Sequence, residues 1–226
     1  MDREKFKIDI NTPDPGYEPF PVSIMNRSTY EATTFDPALG KPAAISYRLN
    51  KAGCIRIRIV HRNRADMLIR TLQDWTRQEF GKYSILWDGR DSSGNIVDNR
   101  QILVLFESKD KDNGLRHRDH EESGCRDPML SVRTDPAPDR PLKGTLDIWT
   151  SLAAESVDFG RENGFEARYY MDGKLFRTDK ADPGTKEFHI RLDLSELENG
   201  EHLITVNIDD LSDHTGSAGV RITVCN

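Results

Sequence analysis

Cysteine is scarce. Cys54, Cys125 and Cys225 are the only three in 226 residues, an odd number set far apart. That excludes a disulfide framework. With no Cys-x-x-Cys, it also excludes zinc ribbons, c-type haem attachment and thioredoxin-like redox chemistry. Long apolar runs are missing too, and none approaches the ~20 residues of a membrane-spanning helix. There is no basic excess: 32 Lys+Arg stand against 38 Asp+Glu, for a net charge of −6. A sequence-independent nucleic-acid packager needs a basic face and is excluded. No apolar stretch follows Met1-Asp2-Arg3-Glu4-Lys5. The chain is therefore expected to be cytoplasmic, or to be numbered from after a removed leader. The sequence contains no His-Glu-x-x-His, no Gly-x-Ser-x-Gly, no Gly-x-x-x-x-Gly-Lys and no Gly-x-Gly-x-x-Gly. His117-Arg118-Asp119 matches a kinase tripeptide, but the rest of that motif set is absent.

What is present is alternation. Ile45, Tyr47 and Leu49 interleave with Ser46 and Arg48, and Ile55, Ile57 and Ile59 with Arg56 and Arg58. Phe188, Ile190 and Leu192 do so with His189 and Arg191, and Val220, Ile222 and Val224 with Arg221 and Thr223. Side chains on a strand flip faces at every residue, so each segment reads as a strand with one face inward and one toward water. Turn signals separate them: Asp172-Gly173, Asn199-Gly200 and Asp91-Ser92-Ser93-Gly94-Asn95. Gly, Asn and Asp tolerate the left-handed backbone that tight turns demand. Short strands with such punctuation predict an all-β sandwich architecture. At 36% hydrophobic residues, the composition suits two small cores better than one large one.

Two stretches interrupt the pattern. Lys109–Pro141 holds charge clusters and Pro128, Pro136, Pro138 and Pro141. It reads as a linker, or as a linker plus an edge strand near Met129–Arg133. The N-terminal region carries a short alternating strand, Phe6, Ile8 and Ile10, and is then broken by Pro13, Pro15, Pro19 and Pro21. Arg64–Phe80 is ambiguous. Leu68, Leu72 and Trp75 have helical spacing, yet Met67–Leu72 followed by a polar loop fits equally well.

One run of residues is specific. Ile45–Leu49, Ala52-Gly53, Ile55–Val60, Leu68–Leu72, Gly81–Asp91 with its Trp87-Asp88-Gly89-Arg90-Asp91, then Gly94-Asn95 and Val97 resemble the Ig-like domain of the bacterial flagellar hook-capping family. Phe35-Asp36-Pro37 is similar to that family's opening. The family usually continues with Gly-Val-Tyr-x-Tyr, whereas this chain has Asn99–Phe106. The resemblance implies that Met67–Leu72 is a strand. Residues 142–225 resemble a second bacterial Ig-like module through Tyr170–Leu175, Leu194–Val206 and the acidic turn Asp209-Asp210. Together these imply two tandem Ig-like/fibronectin-III-like β-sandwiches. The expected layout is an extended arm over 1–32, domain 1 over 33–108, a linker over 109–141 and domain 2 over 142–226. Such modules imply a periplasmic or otherwise exported protein.

Chemistry is sparse. His117, His120 and Cys125, with Asp119, Glu121 and Glu122 nearby, are the residue types that bind zinc or copper. Without a fourth ligand they read as a solvated polar segment. Asp88, Asp91 and Asn95 are oxygen donors of the kind calcium uses, but turn formation accounts for the same residues. Trp87 and Trp149 read as core. Trp75, in a polar loop, is the tryptophan placed nearest the surface: partial burial under the loop is the favoured account, and exposure as an interface anchor is the alternative. Arg56 and Arg58 share a face with Cys54 and are expected to be solvated, with pairing to acidic groups of a partner as the alternative. No catalytic residue, metal or cofactor is assigned. The reading is a non-catalytic structural or accessory subunit. It would contact other protein subunits, copies of itself among them, through the arm residues Phe6, Ile8 and Ile10 and through Trp75, with no nucleic acid and no membrane span. The alternative is a carbohydrate- or cell-surface-binding module.

Overall fold

The computed structural model describes residues 24–29 (backbone), 35–97, 102–109, 127–211 and 214–226. The chain is all-β, and the strands form two sandwiches. Phe6, Ile8 and Ile10, like His117, His120 and Cys125, lie outside the described residues.

The first sandwich pairs two three-stranded sheets. One has β2 (Ala43–Leu49) between β1 (Ile24–Thr29) and β5 (Gly81–Trp87). The other has β3 (Gly53–His61) between β4 (Arg64–Gln78) and β6 (Ile102–Lys109). All pairings are antiparallel. The alternating residues of β2 and β3 point inward as expected: Ile45, Tyr47, Leu49, Ile55, Ile57 and Ile59 are buried. They divide into two clusters, one around Tyr47 and Ile57, the other around Ile59 and Trp87.

Met67–Leu72 is a strand, as the resemblance implies, and the stretch expected as a polar loop after it is strand as well. β4 runs through Gln78, and its tail stays paired with β3 at Ile55↔Thr76, Cys54↔Arg77 and Gly53↔Gln78. The register slips repeatedly along β4, as between Ile55 and Ile57. Each slip leaves one or more extra residues on the β4 side. Leu72 packs against the core, whereas Trp75 lies against Arg56 and Lys109, so the helical spacing of Leu68, Leu72 and Trp75 marks no single face. The polar tail is held by side-chain bonds: Gln73 Nε2 donates to the Ile55 carbonyl (3.4 Å) and Tyr47 Oη to Gln78 Oε1 (2.8 Å).

The second sandwich packs a four-stranded sheet on a three-stranded one. The first has the order β10 (Lys174–Ala181), β9 (Phe165–Met171), β12 (Gly200–Asp209), β13 (Thr215–Val224). The second has β8 (Thr145–Leu152) between β11 (Glu187–Asp193) and β7 (Leu130–Asp135). β7 thus occupies the place where the sequence allowed an edge strand. A short 3-10 helix, Ala154–Gly160, follows β8. One continuous core fills the sandwich, with Leu146, Ile148, Phe165, Tyr169, Ile190, Ile204 and Ile222 almost fully buried. At the β9–β10 hairpin, Asp172 and Gly173 both have positive φ (49° and 80°), the backbone that a two-residue turn requires.

Candidate functional site at the seam between the sandwiches

Alternation along β12 sends Ile204, Val206 and Ile208 into the core, and Thr205 and Asn207 to the opposite face. That face does not meet water. Thr205 and Asn207 are buried, as are Ser217 and Thr215 on β13. The first sandwich covers them. Asn207 is the central contact. Its Oδ1 accepts from the Leu68 N–H (2.8 Å) and its Nδ2 donates to the Leu68 carbonyl (2.8 Å), so a side-chain amide stands in for a neighbouring strand at the edge of β4. Ser217 Oγ donates to the same carbonyl (3.0 Å). A buried backbone group left without a partner costs about 1–3 kcal/mol. This pairing therefore fixes both register and orientation.

The turn after β5 makes the second set of contacts. The Gly219 N–H donates to Ser93 Oγ (2.7 Å), Asn95 Nδ2 to the Gly219 carbonyl (3.3 Å), and Arg221 Nη2 to the Ile96 carbonyl (2.5 Å). Gly219 allows the approach, since a Cβ there would stand 2.8 Å from Asp91 Oδ2. Arg168 Nη1 reaches the Asp66 carbonyl (3.1 Å).

This turn also explains the Trp-Asp-Gly-Arg-Asp segment. Trp87 is buried, stacks on Phe35 (centroids 5.6 Å apart) and donates Nε1–H to the Arg90 carbonyl (2.9 Å). Asp88 pairs with Arg70 (2.9 Å). Asp91 Oδ1 accepts from the Ser93 and Asn95 N–H groups (2.9 and 2.8 Å), and its Oδ2 from Asn95 Nδ2 (2.9 Å). The oxygens considered for calcium are thus occupied by turn donors. Among the described residues, no cluster of His, Cys, Asp and Glu could hold a metal ion.

A cavity of about 430 Å³ opens along the seam, lined among others by Leu68, Thr71, Asp74, Asp127, Met129 and Ser217. Two carboxylates meet there. The Thr71 hydroxyl donates to Asp127 Oδ2, and the Thr215 N–H to Asp127 Oδ1 (3.4 Å). Asp127 therefore ties β4 of one sandwich to β13 of the other. Asp74 accepts from the Trp75 N–H (3.0 Å) through Oδ1, while its Oδ2 is buried without a hydrogen-bond donor among the described residues. Burial, then the neighbouring Asp127 charge, push the Asp74 carboxyl up to about 6. Burial also raises Asp127, against the hydrogen bond from Thr71. Sequence reasoning missed this pair. Nothing in the spacing of two aspartates 53 positions apart signals that the fold joins them.

The sheet face behind the pair corrects two expectations. Arg56 is not solvated but buried, gripping Glu107 with two bonds (Nε 2.9 Å, Nη2 2.7 Å), and Arg58 Nε lies 2.9 Å from the same carboxylate. Trp75 lies on strand β4, half-buried, with the Arg56 guanidinium 4.5 Å and the Lys109 ammonium 3.6 Å from its ring centroid. Trp149, expected in the core, stands on the outer face of β8. Its ring stacks on His189 of β11 (3.9 Å), with Arg133 of β7 on the other side (5.2 Å).

Among the described residues no helix is long and apolar enough to cross a membrane. No family model matches the chain, and no curated protein matches it. Solved structures similar to it include an endo-β-1,4-mannanase from Thermotoga petrophila, with 15% identity over 46% of this chain and 21% of that one, TM-score 0.32. The CARDB domain of a Pyrococcus furiosus protein, in complex with di-metal ions, is 12% identical over 44% of this chain and 90% of the domain, TM-score 0.30. Dimeric latent PorU from Porphyromonas gingivalis is 12% identical over 94% of this chain, TM-score 0.34, and the chain spans 21% of its length.

Proposed function

We propose that the chain is a non-catalytic accessory or structural subunit that works by protein–protein contact in a larger bacterial assembly, periplasmic or otherwise exported. The observation that carries this reading is the seam. A whole polar sheet face is used to bolt one sandwich to the other, which makes a two-module unit of set geometry. Further support comes from the sheet edges. β5 and β10 are edge strands with no strand beyond them among the described residues, and Leu86 on β5, Phe176 on β10 and Phe80 just before β5 are exposed. An open edge carries N–H and C=O groups that a strand from another chain can complete. The arm residues Phe6, Ile8 and Ile10 have the alternation of such a strand. Exchanged between copies, they would build a ring or a filament. The resemblance of residues 33–108 to the hook-capping Ig-like domain agrees with an assembly role. A sugar-binding role needs an open aromatic face, and the outward rings of Trp75 and Trp149 both carry cations or His189 against them.

Sedimentation velocity tests the reading. Deleting residues 1–20, or Leu86→Lys on β5, is expected to reduce self-association or the capture of a partner from membrane and periplasmic fractions. Unchanged sedimentation and capture for both variants would reject it, and specific binding on a glycan array would favour the carbohydrate alternative.

A further inference from the structure

We propose that the seam is a proton-operated latch: one proton taken up by the Asp74–Asp127 pair tightens the two sandwiches against each other, and its loss loosens them. This goes beyond the interaction role and does not rest on it. Asp74 belongs to β4 of the first sandwich. Asp127 lies on the segment entering β7 of the second and is held by Thr71 and Thr215 from both sides. An ionised Asp74 oxygen, buried with no donor among the described residues and beside a second carboxylate, is unfavourable. A neutral carboxyl on Asp74 removes the repulsion and supplies an O–H donor.

The charged groups around the pair do not cancel it. Arg56 and Arg58 face it from β3, but both share Glu107 of β6. Lys109 of β6 sits on the Trp75 ring. His214, before β13, acts weakly on Asp74 and is paired with Asp210 (2.7 Å). The direction follows from linkage. The folded carboxyl of Asp74 titrates near 6 rather than at its ordinary 3.8. The folded state therefore holds the proton more tightly. The gain is complete below the ordinary value and is lost as pH rises through about 6.

The test uses amide exchange on the full chain at pH 5 and 7.5, corrected for intrinsic rates. The seam amides of Leu68 and Gly219 are compared with the core amides of Ile59 and Ile148. The seam amides are expected to exchange about tenfold faster at the higher pH, one pK unit's worth of coupling, and the latch is read as the difference between wild type and Asp74→Asn, because the core amides follow global stability, to which His202 also contributes. Asp74→Asn should hold the seam amides slow at both pH values. Seam rates that ignore pH, or an Asp74→Asn protein that keeps the wild-type dependence, would overturn the proposal. Should that variant not fold, the carboxyl carbon of wild-type Asp74 decides by NMR: a midpoint near 6 supports the latch and an ordinary midpoint refutes it.

Discussion

The two sandwiches solve the same packing problem differently. The second has one continuous core and a β12–β13 ladder in unbroken register from Gly200↔Val224 to Asp209↔Thr215, with a slip in β9–β10 between Leu175 and Arg177. The first has two smaller clusters, and β4 slips past β3 at several bulges. The edge of β4 at Leu68 is completed only by Asn207 and Ser217 of its neighbour. A sandwich with a continuous core can stand alone. One whose edge groups are satisfied from outside depends on the module that supplies them. Stability should therefore flow from the second sandwich to the first.

The largest expected effect breaks this asymmetry at its source. Ile204→Ala, in the continuous core, should cost about 2–5 kcal/mol and lower the melting of both sandwiches in calorimetry. Ile57→Ala should lower the first and leave the second folded. Equal behaviour of the two variants would mean that the dependence is mutual.

Asn207→Ala strikes the joint itself. It strips the partner from the buried Leu68 N–H and one of the two donors from the Leu68 carbonyl, which keeps Ser217 Oγ, at a cost of roughly 1–3 kcal/mol, and should split one melting transition into two. Asn207→Asp keeps the shape and the acceptor but loses the donor to the Leu68 carbonyl, so it should give much of the same splitting.

Gly173→Ala is expected to cost about 1 kcal/mol or more, because φ there is positive. A Cβ would also stand 2.6 Å from His61 Nε2 at the end of the β3–β4 hairpin. Chemical denaturation reads both effects.

The smallest effect is a pH slope inside the second sandwich. His202 Nδ1 lies 2.6 Å from Asp172 Oδ2 and Nε2 lies 2.8 Å from the Glu198 carbonyl. Two acceptors require both nitrogens to carry protons. The Glu198 carbonyl first, then the Asp172 carboxylate, raise its pKa above 6.5. The stabilisation is fully present below 6.5 and is lost as pH rises through the raised value. His202→Asn should flatten the fall in melting temperature between pH 6 and 8. An unchanged slope would show that the imidazolium contributes nothing. Because His202 and Asp74 act in the same direction, the difference between each variant and the wild type separates them.

Much of the architecture was legible in the residues. The alternation around Ile45, Ile55, Ile190 and Ile222 marks strands, and Asp172-Gly173 marks its hairpin. Both depend on one residue and its immediate neighbours. Trp75 and Trp149 were harder to place, because which face of a strand is covered depends on what is packed against it. Arg56 shows the same limit. Its charge suggested water, but the partner that neutralises it, Glu107, is 51 positions away. The Leu68–Leu72–Trp75 spacing was ambiguous, because a strand whose register slips against its neighbour does not keep a strict two-residue period.

The sequence by itself determined that the chain is built of β-strands and where the tight turns fall. Both follow from local backbone preference and from the two-residue repeat of an extended chain. Only the tertiary structure decided that a polar sheet face is buried and that Asn207 closes a distant strand edge. It alone brings Asp74 and Asp127 together. Each of these joins residues far apart in the chain, and hydrogen bonding and burial act through space, with no trace in the order of the amino acids.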